Sequence, residues 1–216
     1  MHFQFLVEDV SSAVLIKKVM DTIIGKHIKN TYNCKSFKGI GHFIKKNTAK
    51  ETRTGKLLND LATYMRGFQR SLQGISASLI VVLDNDDKDP QEFQKSLQNI
   101  AKTNSINMDY VFCIAVEEVE AWLLGDEAAI RKAYPDYKKK ILHDYKQDSI
   151  CGTWELLADV VYKGGMQEIQ KRKMSYMEIG KLKSEWADKI SDQMTFEVNK
   201  SPSFQNFYKA ICNRVE

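Results

Sequence analysis

The chain has 216 residues and a formal net charge of +4, with 43% hydrophobic and 28% charged residues. This composition is that of an ordinary globular protein and excludes a disordered chain. The sequence contains no apolar run of about 18 residues and opens without a signal-peptide pattern, so neither a membrane span nor a secretory leader is expected. The cysteines (Cys34, Cys113, Cys151 and Cys212) form no C-x-x-C pair. We therefore expect no zinc site and no disulfide framework, and a cytoplasmic location.

Strands and helices are predicted to alternate in the first part of the chain. Apolar periodicity indicates a strand over 3–7 that ends on Glu8, a helix capped by Ser11 or Ser12, a strand near 33–37 and a helix over 55–69. Such alternation is typical of an α/β domain with a parallel sheet.

A central strand followed by acids dominates the sequence. Five apolar residues over 79–83 predict a strand buried on both faces. Asp84, Asp86, Asp87 and Asp89 follow at once. Carboxylates that crowded repel one another unless a cation neutralises them, and ligands of open α/β sheets bind beyond the carboxyl ends of the strands. Asp84-x-Asp86 therefore indicates a hard divalent cation held by oxygen ligands, and a solvated acidic turn is the alternative.

The second half of the chain is predicted to contain one more strand and then helices. Pro90 suits the first position of a helix, a strand covers 110–116, and Asp126 caps a helix over 127–134. Further helices are expected over 137–145, 154–162, 180–193 and 204–215. We predict an α/β domain over residues 1–135, and a helical extension over 136–216 that packs on it as one structural unit.

Positive charge is concentrated in one segment. Residues 26–70 hold eleven Lys and Arg against two acids, a net charge of +9, so the remainder carries −5. Aromatic residues (Tyr32, Phe37 and Phe43) lie between these cations. This pattern predicts a surface that follows a phosphate backbone, and a merely solvated face is the alternative. The candidate nucleic-acid-binding residues are Lys35, Lys38, Lys45, Lys46, Lys50, Arg53 and Lys56.

Acids follow three of the predicted strands. Glu8 follows the first, Asp84 and Asp86 follow the central strand, and Glu117 and Glu120 follow the strand over 110–116. Parallel strands bring these ends to one edge of the sheet, where the carboxylates could hold one or two Mg²⁺ or Mn²⁺ ions. For Glu117 and Glu120, favourable placement at a helix N-terminus is an equal alternative.

The acidic strand ends resemble a known signature. Glu8 after a first strand and Asp84-x-Asp86 after a later one resemble the Toprim signature of topoisomerases, primases and overcoming-lysogenization-defect nucleases. Longer blocks resemble a Toprim-like bacterial domain-of-unknown-function family related to the nuclease effector of PARIS-type phage defence. These blocks are AVEEVEAWLLGD over 115–126, AYP over 133–135, DSICGTWE over 148–155, KSEWA over 183–187 and SPSF over 201–204.

The resemblance implies a Toprim-like, mostly parallel sheet flanked by helices, and metal-dependent phosphodiester chemistry. It assigns catalytic roles to Glu8, Asp84 and Asp86, and it places Lys183 near the scissile phosphate. It further implies action in phage defence beside an ABC-type ATPase partner. The family often has glycine after the glutamate, whereas this chain has Asp9, which puts close backbone approach there in doubt.

Two other functions remain open on the sequence. A phosphohydrolase or receiver-like phosphotransfer protein also uses aspartates at strand ends, although Lys88 stands where a dehalogenase-type motif has Thr or Val. A non-catalytic module that binds nucleic acid or an ATPase partner is the third reading. The leading prediction is a Mg²⁺-dependent nuclease, with RNA and DNA both open as substrates and the oligomeric state undetermined.

Overall fold

The computed structural model describes residues 1–27, 29–38, 56–86, 88–149 and 151–215. In these residues, one all-parallel sheet has the order β2-β1-β3-β4. Its strands are β1 (His2–Val7), β2 (Thr31–Ser36), β3 (Ala77–Asp84) and β4 (Asp109–Ala115). The strand order reverses between β1 and β3, and open α/β sheets bind ligands at the carboxyl edge of such a switch point. The predicted α/β fold is confirmed.

The helices of the described residues cover both faces of the sheet and make up the C-terminal part. They are α1 (Val10–Lys26), α2 (Leu57–Ser71), α3 (Pro90–Thr103), α4 (Glu120–Leu124), α5 (Glu127–Ala133), α6 (Lys139–Asp144), α7 (Thr153–Val161), α8 (Gly165–Lys171), α9 (Tyr176–Ser191) and α10 (Pro202–Cys212), with a short 3₁₀ helix over Phe196–Val198. None of these helices combines the length and the apolar character that crossing a membrane requires.

Strand β3 supplies side chains to two separate cores. Leu79, Val81 and Leu83 pack with α2 and α3 on one face, whereas Ile80 and Val82 join the core on the other. Successive side chains of a strand point to opposite faces, so a continuous apolar run is what burial on both faces requires. This arrangement explains why the run over 79–83 could be recognised from sequence.

The C-terminal helices belong to the same core as the sheet. Helix α9 packs along α1, and α10 packs against β4. Trp122 is fully buried, its indole Nε1 donates a hydrogen bond to Ser203 Oγ at 2.8 Å, and its ring stacks on Phe207 at 4.9 Å. The helical extension therefore packs on the α/β part as expected, while the boundary at residue 135 stays a prediction.

Several predicted element ends differ from the structure. Helix α1 begins at Val10 and is capped by Asp9, whose Oδ1 accepts from the backbone N of Ser12 at 2.8 Å, so a cap by Ser11 or Ser12 was wrong. Aspartate after Glu8 thus has a structural reason, because it closes the helix N-terminus. Helix α8 was not predicted, and α9 begins at Tyr176 rather than at residue 180.

Candidate active site at the carboxyl edge of the sheet

Glu8 and Asp84 meet where β1 and β3 end. The backbone N of Asp84 donates to Glu8 Oε2 at 3.4 Å, although 76 residues separate the two in sequence. The two strands are paired in parallel up to Val7 and Val82, so their carboxyl ends reach the same edge. The structure thereby brings together two of the three predicted catalytic acids.

The carboxyl group of Asp84 lies in an unfavourable environment for a negative charge. Asp84 is only 7% exposed. Burial raises the pKa of Asp84 well above its usual value, and the negative charges of Glu8 and Glu120 raise it further, while Lys183 acts in the opposite direction. A carboxylate is therefore stable here only if a cation compensates its charge.

Lys183 and Glu120 form the buried centre of this acidic cluster. Glu120 is the first residue of α4 and is fully buried, and neither of its carboxylate oxygens accepts a hydrogen bond from the described residues. The Lys183 Nζ atom lies 3.3 Å from Glu120 Oε2 and 3.6 Å from Glu118 Oε1. The Lys183 side chain is 16% exposed. The Lys183 ammonium group therefore compensates the negative charge of the buried Glu120 carboxylate.

The pKa values of Lys183 and Glu118 follow from this contact. Burial alone would lower the pKa of Lys183, but the charges of Glu120 and Glu118 outweigh burial and the pKa is raised. Burial, followed by the charge of Glu120, raises the pKa of Glu118 to about 8 despite Lys183. The ammonium therefore stays charged, while Glu118 changes protonation close to neutral pH.

Asp86 lies outside this cluster. Its carboxylate Oδ2 is 2.7 Å from the Nζ atom of Lys88, and its side chain is 47% exposed. The backbone turns there with a φ of 50°, which aspartate tolerates better than most residues. The second aspartate of the Asp-x-Asp pair is thus turned to solvent and ion-paired, and we leave it out of the proposed ligand set.

Glu117 caps the start of α7, and its predicted metal-binding role stays a prediction. Its carboxylate accepts hydrogen bonds from the backbone N of Cys151 at 3.1 Å, of Gly152 at 2.7 Å and of Thr153 at 2.9 Å. These donors lie at the start of α7, where a negative charge also interacts favourably with the helix dipole. Glu117 therefore lies at a helix N-terminus, but at that of α7 and not at that of the helix that follows it in sequence.

Glu117→Ala is accordingly expected to lower the free energy of unfolding by about 2 kcal/mol, because three backbone donors lose a charged acceptor. Urea denaturation measures the change. Glu92→Ala is the matched control, since Glu92 also lies in the first turn of a helix but has a 72% exposed side chain. We expect Mg²⁺ to raise the unfolding temperature of Glu117→Ala as much as that of the parent. Loss of this stabilisation in the variant would show that Glu117 is part of the metal site.

A divalent cation fits the chemistry of Glu8 and Asp84. In the described part of the chain, no three His, Cys, Asp or Glu side chains are placed as a complete metal-binding group. Mg²⁺ is nevertheless commonly held by one or two carboxylates, with water and substrate phosphate as the remaining ligands. Buried Asp84 and partly buried Glu8 repel each other, and together with the nearby carboxylate of Glu120 they are a donor set of this kind.

The predicted nucleic-acid-binding lysines are only partly covered by the structure. Lys45, Lys46, Lys50 and Arg53 lie outside the described residues, as does Phe43. The Lys35 Nζ atom lies over the rings of Phe37 at 5.7 Å and Tyr64 at 5.1 Å. Lys38 and Lys56 line a groove beside the candidate site.

Sequence reasoning missed two residues of the site. Asn85 is fully buried, and its side-chain oxygen accepts from the backbone N of Glu117 at 2.7 Å, which ties β3 to the loop after β4. Glu118 was not among the predicted site residues, and its Oε1 atom lies 3.6 Å from Lys183 Nζ. The signal for Asn85 was its position inside the acidic turn, and Glu118 had none.

Comparison of the chain with family models, curated proteins and solved structures finds no match.

Proposed function

We propose that this protein is a Mg²⁺- or Mn²⁺-dependent nuclease that cleaves phosphodiester bonds in RNA or DNA. One observation carries the proposal. Two acids from adjacent parallel strands, Glu8 and Asp84, meet at the switch point of the sheet beside Lys183, whose side chain is 16% exposed. Acids in this position are suited to hold a divalent cation that also contacts a phosphate, because carboxylate and phosphate oxygens are both ligands of such a cation. The cation then stabilises the negative charge of the phosphate.

Glu8 and Asp84 would hold the cation. When bound, the cation would activate a water molecule and stabilise charge on the phosphoryl oxygens and the leaving group. The chain itself contributes burial, which excludes water from Asp84 and strengthens each charge interaction. Lys183 neutralises part of the charge of Glu118 and Glu120, so that a polyanion meets less repulsion as it approaches.

The resemblance extends the proposal to a biological setting. It supports a role in anti-phage defence, a cytoplasmic location and an ABC-type ATPase as partner, because some members of the resembled family act beside such an ATPase. These parts of the proposal rest on the sequence blocks over 115–126 and 148–155 and on the other blocks quoted above.

Cleavage of total RNA and plasmid DNA, with Mg²⁺, Mn²⁺ or EDTA, tests the proposal. We expect cleavage of at least one substrate with a metal ion, none in EDTA, and none by Asp84→Asn. Asp136→Asn, which changes an exposed aspartate in a turn, is the matched control and should cleave as the parent does. Phosphate release from a small phosphoester without cleavage of either polymer would favour the phosphohydrolase reading. Binding without any turnover would favour the non-catalytic module.

A further inference from the structure

A groove opens beside the candidate active site, between the start of α9 and the residues that follow β1 and β2. Its volume is about 610 Å³, within the range of roughly 300–1,000 Å³ that is usual for ligand sites. It is lined by apolar, basic and small residues, of which Val10, Lys38, Lys56, Tyr176, Met177 and Lys181 matter here.

Apolar side chains in this groove are unusually exposed. Val10 is 58% exposed, Tyr176 is 84% exposed and Met177 is 74% exposed. In the described residues, the other large hydrophobic side chains with comparable exposure are Ile75 and Val198. Exposed apolar groups scattered singly need no explanation, but three that share one groove indicate a contact surface.

The charged groups of the groove complement an anion. Lys38, Lys56 and Lys181 line it, and within the described ranges no carboxylate lies within ion-pair distance of their ammonium groups. Asp9 is the acid among the lining residues. Its oxygens already accept hydrogen bonds from Ser11 and Ser12, so it is committed to the cap of α1.

The groove borders the acidic cluster, because its lining residues are direct neighbours in sequence of Glu8 and Lys183. Asp9 follows Glu8 directly, and the charge of Asp9 contributes to the raised pKa of Asp84. On α9, Lys181 and Ser184 line the groove, while Lys183 between them contacts Glu120. A polymer that placed one phosphate at Glu8 and Asp84 would therefore have its neighbouring units close to the groove.

We infer that the groove binds a single-stranded stretch of nucleic acid next to the cleaved phosphate, an inference that rests on the proposed nuclease function. A base packs on Tyr176 and Met177, while Lys38, Lys56 and Lys181 contact the phosphates. Base faces are covered by their neighbours in a duplex, so apolar and aromatic side chains reach them only in an unpaired strand. A helix of a partner protein could cover the apolar side chains, but it would have to carry acidic residues to pair with the three lysines. A nucleic acid strand supplies both the apolar base and the phosphates.

Binding of fluorescent oligonucleotides to the full chain in EDTA tests this inference without requiring cleavage. Tyr176→Ala should weaken binding of a single strand by about 5- to 150-fold, the effect of losing one base–aromatic stack. Tyr176→Phe, which keeps the ring, should bind as the parent does. Lys181→Ala should instead flatten the slope of log K against log salt by about 0.7.

An abasic strand of equal length and a duplex of the same sequence are the comparison ligands. Both should bind equally well to the parent and to Tyr176→Ala, because neither offers a free base. Ile75→Ala is the control variant, since Ile75 is 56% exposed and far from the lining residues in sequence. Unchanged affinity of Tyr176→Ala for the single strand, or an equal loss for all three ligands, would overturn the inference. Absent cleavage with base-dependent binding intact would count against the nuclease proposal alone.

Discussion

Lys183→Met is expected to lower the free energy of unfolding by about 3–5 kcal/mol near pH 7, the usual cost of removing one partner from a buried ion pair. Glu120 is fully buried, and Lys183 Nζ at 3.3 Å is the cation that compensates it. Without the lysine, a fully buried carboxylate would lose the cation that compensates its charge. Urea denaturation of the metal-free proteins measures the loss.

The pH dependence of that loss has a definite sign. Burial is the main cause that raises the folded-state pKa of Glu118 to about 8, well above the usual range of a glutamate, and it also raises the pKa of Glu120. Removing the lysine would raise both pKa values further. An acid whose folded pKa is raised contributes stability at low pH that is lost as the pH increases. The gap between parent and Lys183→Met should therefore be small near pH 4.5 and widest at pH 8 and above.

A second substitution, at Glu120, distinguishes the loss of the ion pair from a general packing defect caused by Lys183→Met. Glu120→Gln removes the buried charge, so Lys183→Met combined with Glu120→Gln should be more stable than Lys183→Met alone. Lys189→Met is the control, because Lys189 forms an exposed ion pair with Glu185 on the same helix. Additive effects of the two substitutions would show that Lys183 and Glu120 are not coupled, and the interpretation of the cluster would then be wrong.

The ends of β1 and β3 could be predicted from the sequence because two signals coincide there. The apolar run over 79–83 has the length and composition of a strand buried on both faces, and Glu8 and Asp84 follow directly after predicted strands. A parallel sheet then forces their ends to one edge. No further information was needed to place these two acids together, and the structure confirms their adjacency.

The roles of the three glutamates after β4 could not be predicted, since they depend on a local turn. Glu117 adopts a φ of 63°, and the chain turns so that Glu117 faces α7 while Glu120 faces the interior. Sequence spacing does not encode such a left-handed residue unless it is glycine. The true partner of Glu120, Lys183, is 63 positions away and was identified only through the resemblance.

The start of α9 was missed although its signal was present. Ser175 and Glu178 form a capping box, in which each side chain accepts from the backbone N of the other residue. This pattern marks a helix start, but the apolar spacing that guided the prediction becomes regular only after residue 180. The missed first turn carries Tyr176 and Met177, so the groove beside the site could not be inferred from the predicted elements.

Asp84→Asn is expected to leave the metal-free protein as stable as the parent or more stable. Asp84 is 7% exposed, and its raised pKa comes from burial and from the charges of Glu8 and Glu120. The neutral amide keeps the shape of the side chain but removes this unfavourable charge. Added Mg²⁺ or Mn²⁺ should stabilise the parent, by about 2.7 kcal/mol at one hundred times Kd, and Asp84→Asn should lose most of that gain.

Thermal unfolding in EDTA and across a metal titration measures both effects. Asp136→Asn should behave as the parent at every metal concentration, because that aspartate is exposed and lies in a turn. Asp86→Asn tests whether Asp86, which pairs with Lys88, also binds the metal. If this variant is no longer stabilised by added metal, Asp86 belongs to the ligand set. If Asp84→Asn destabilises the metal-free protein and responds fully to metal, Asp84 serves the fold, and the proposed cation site loses the residue on which it most depends.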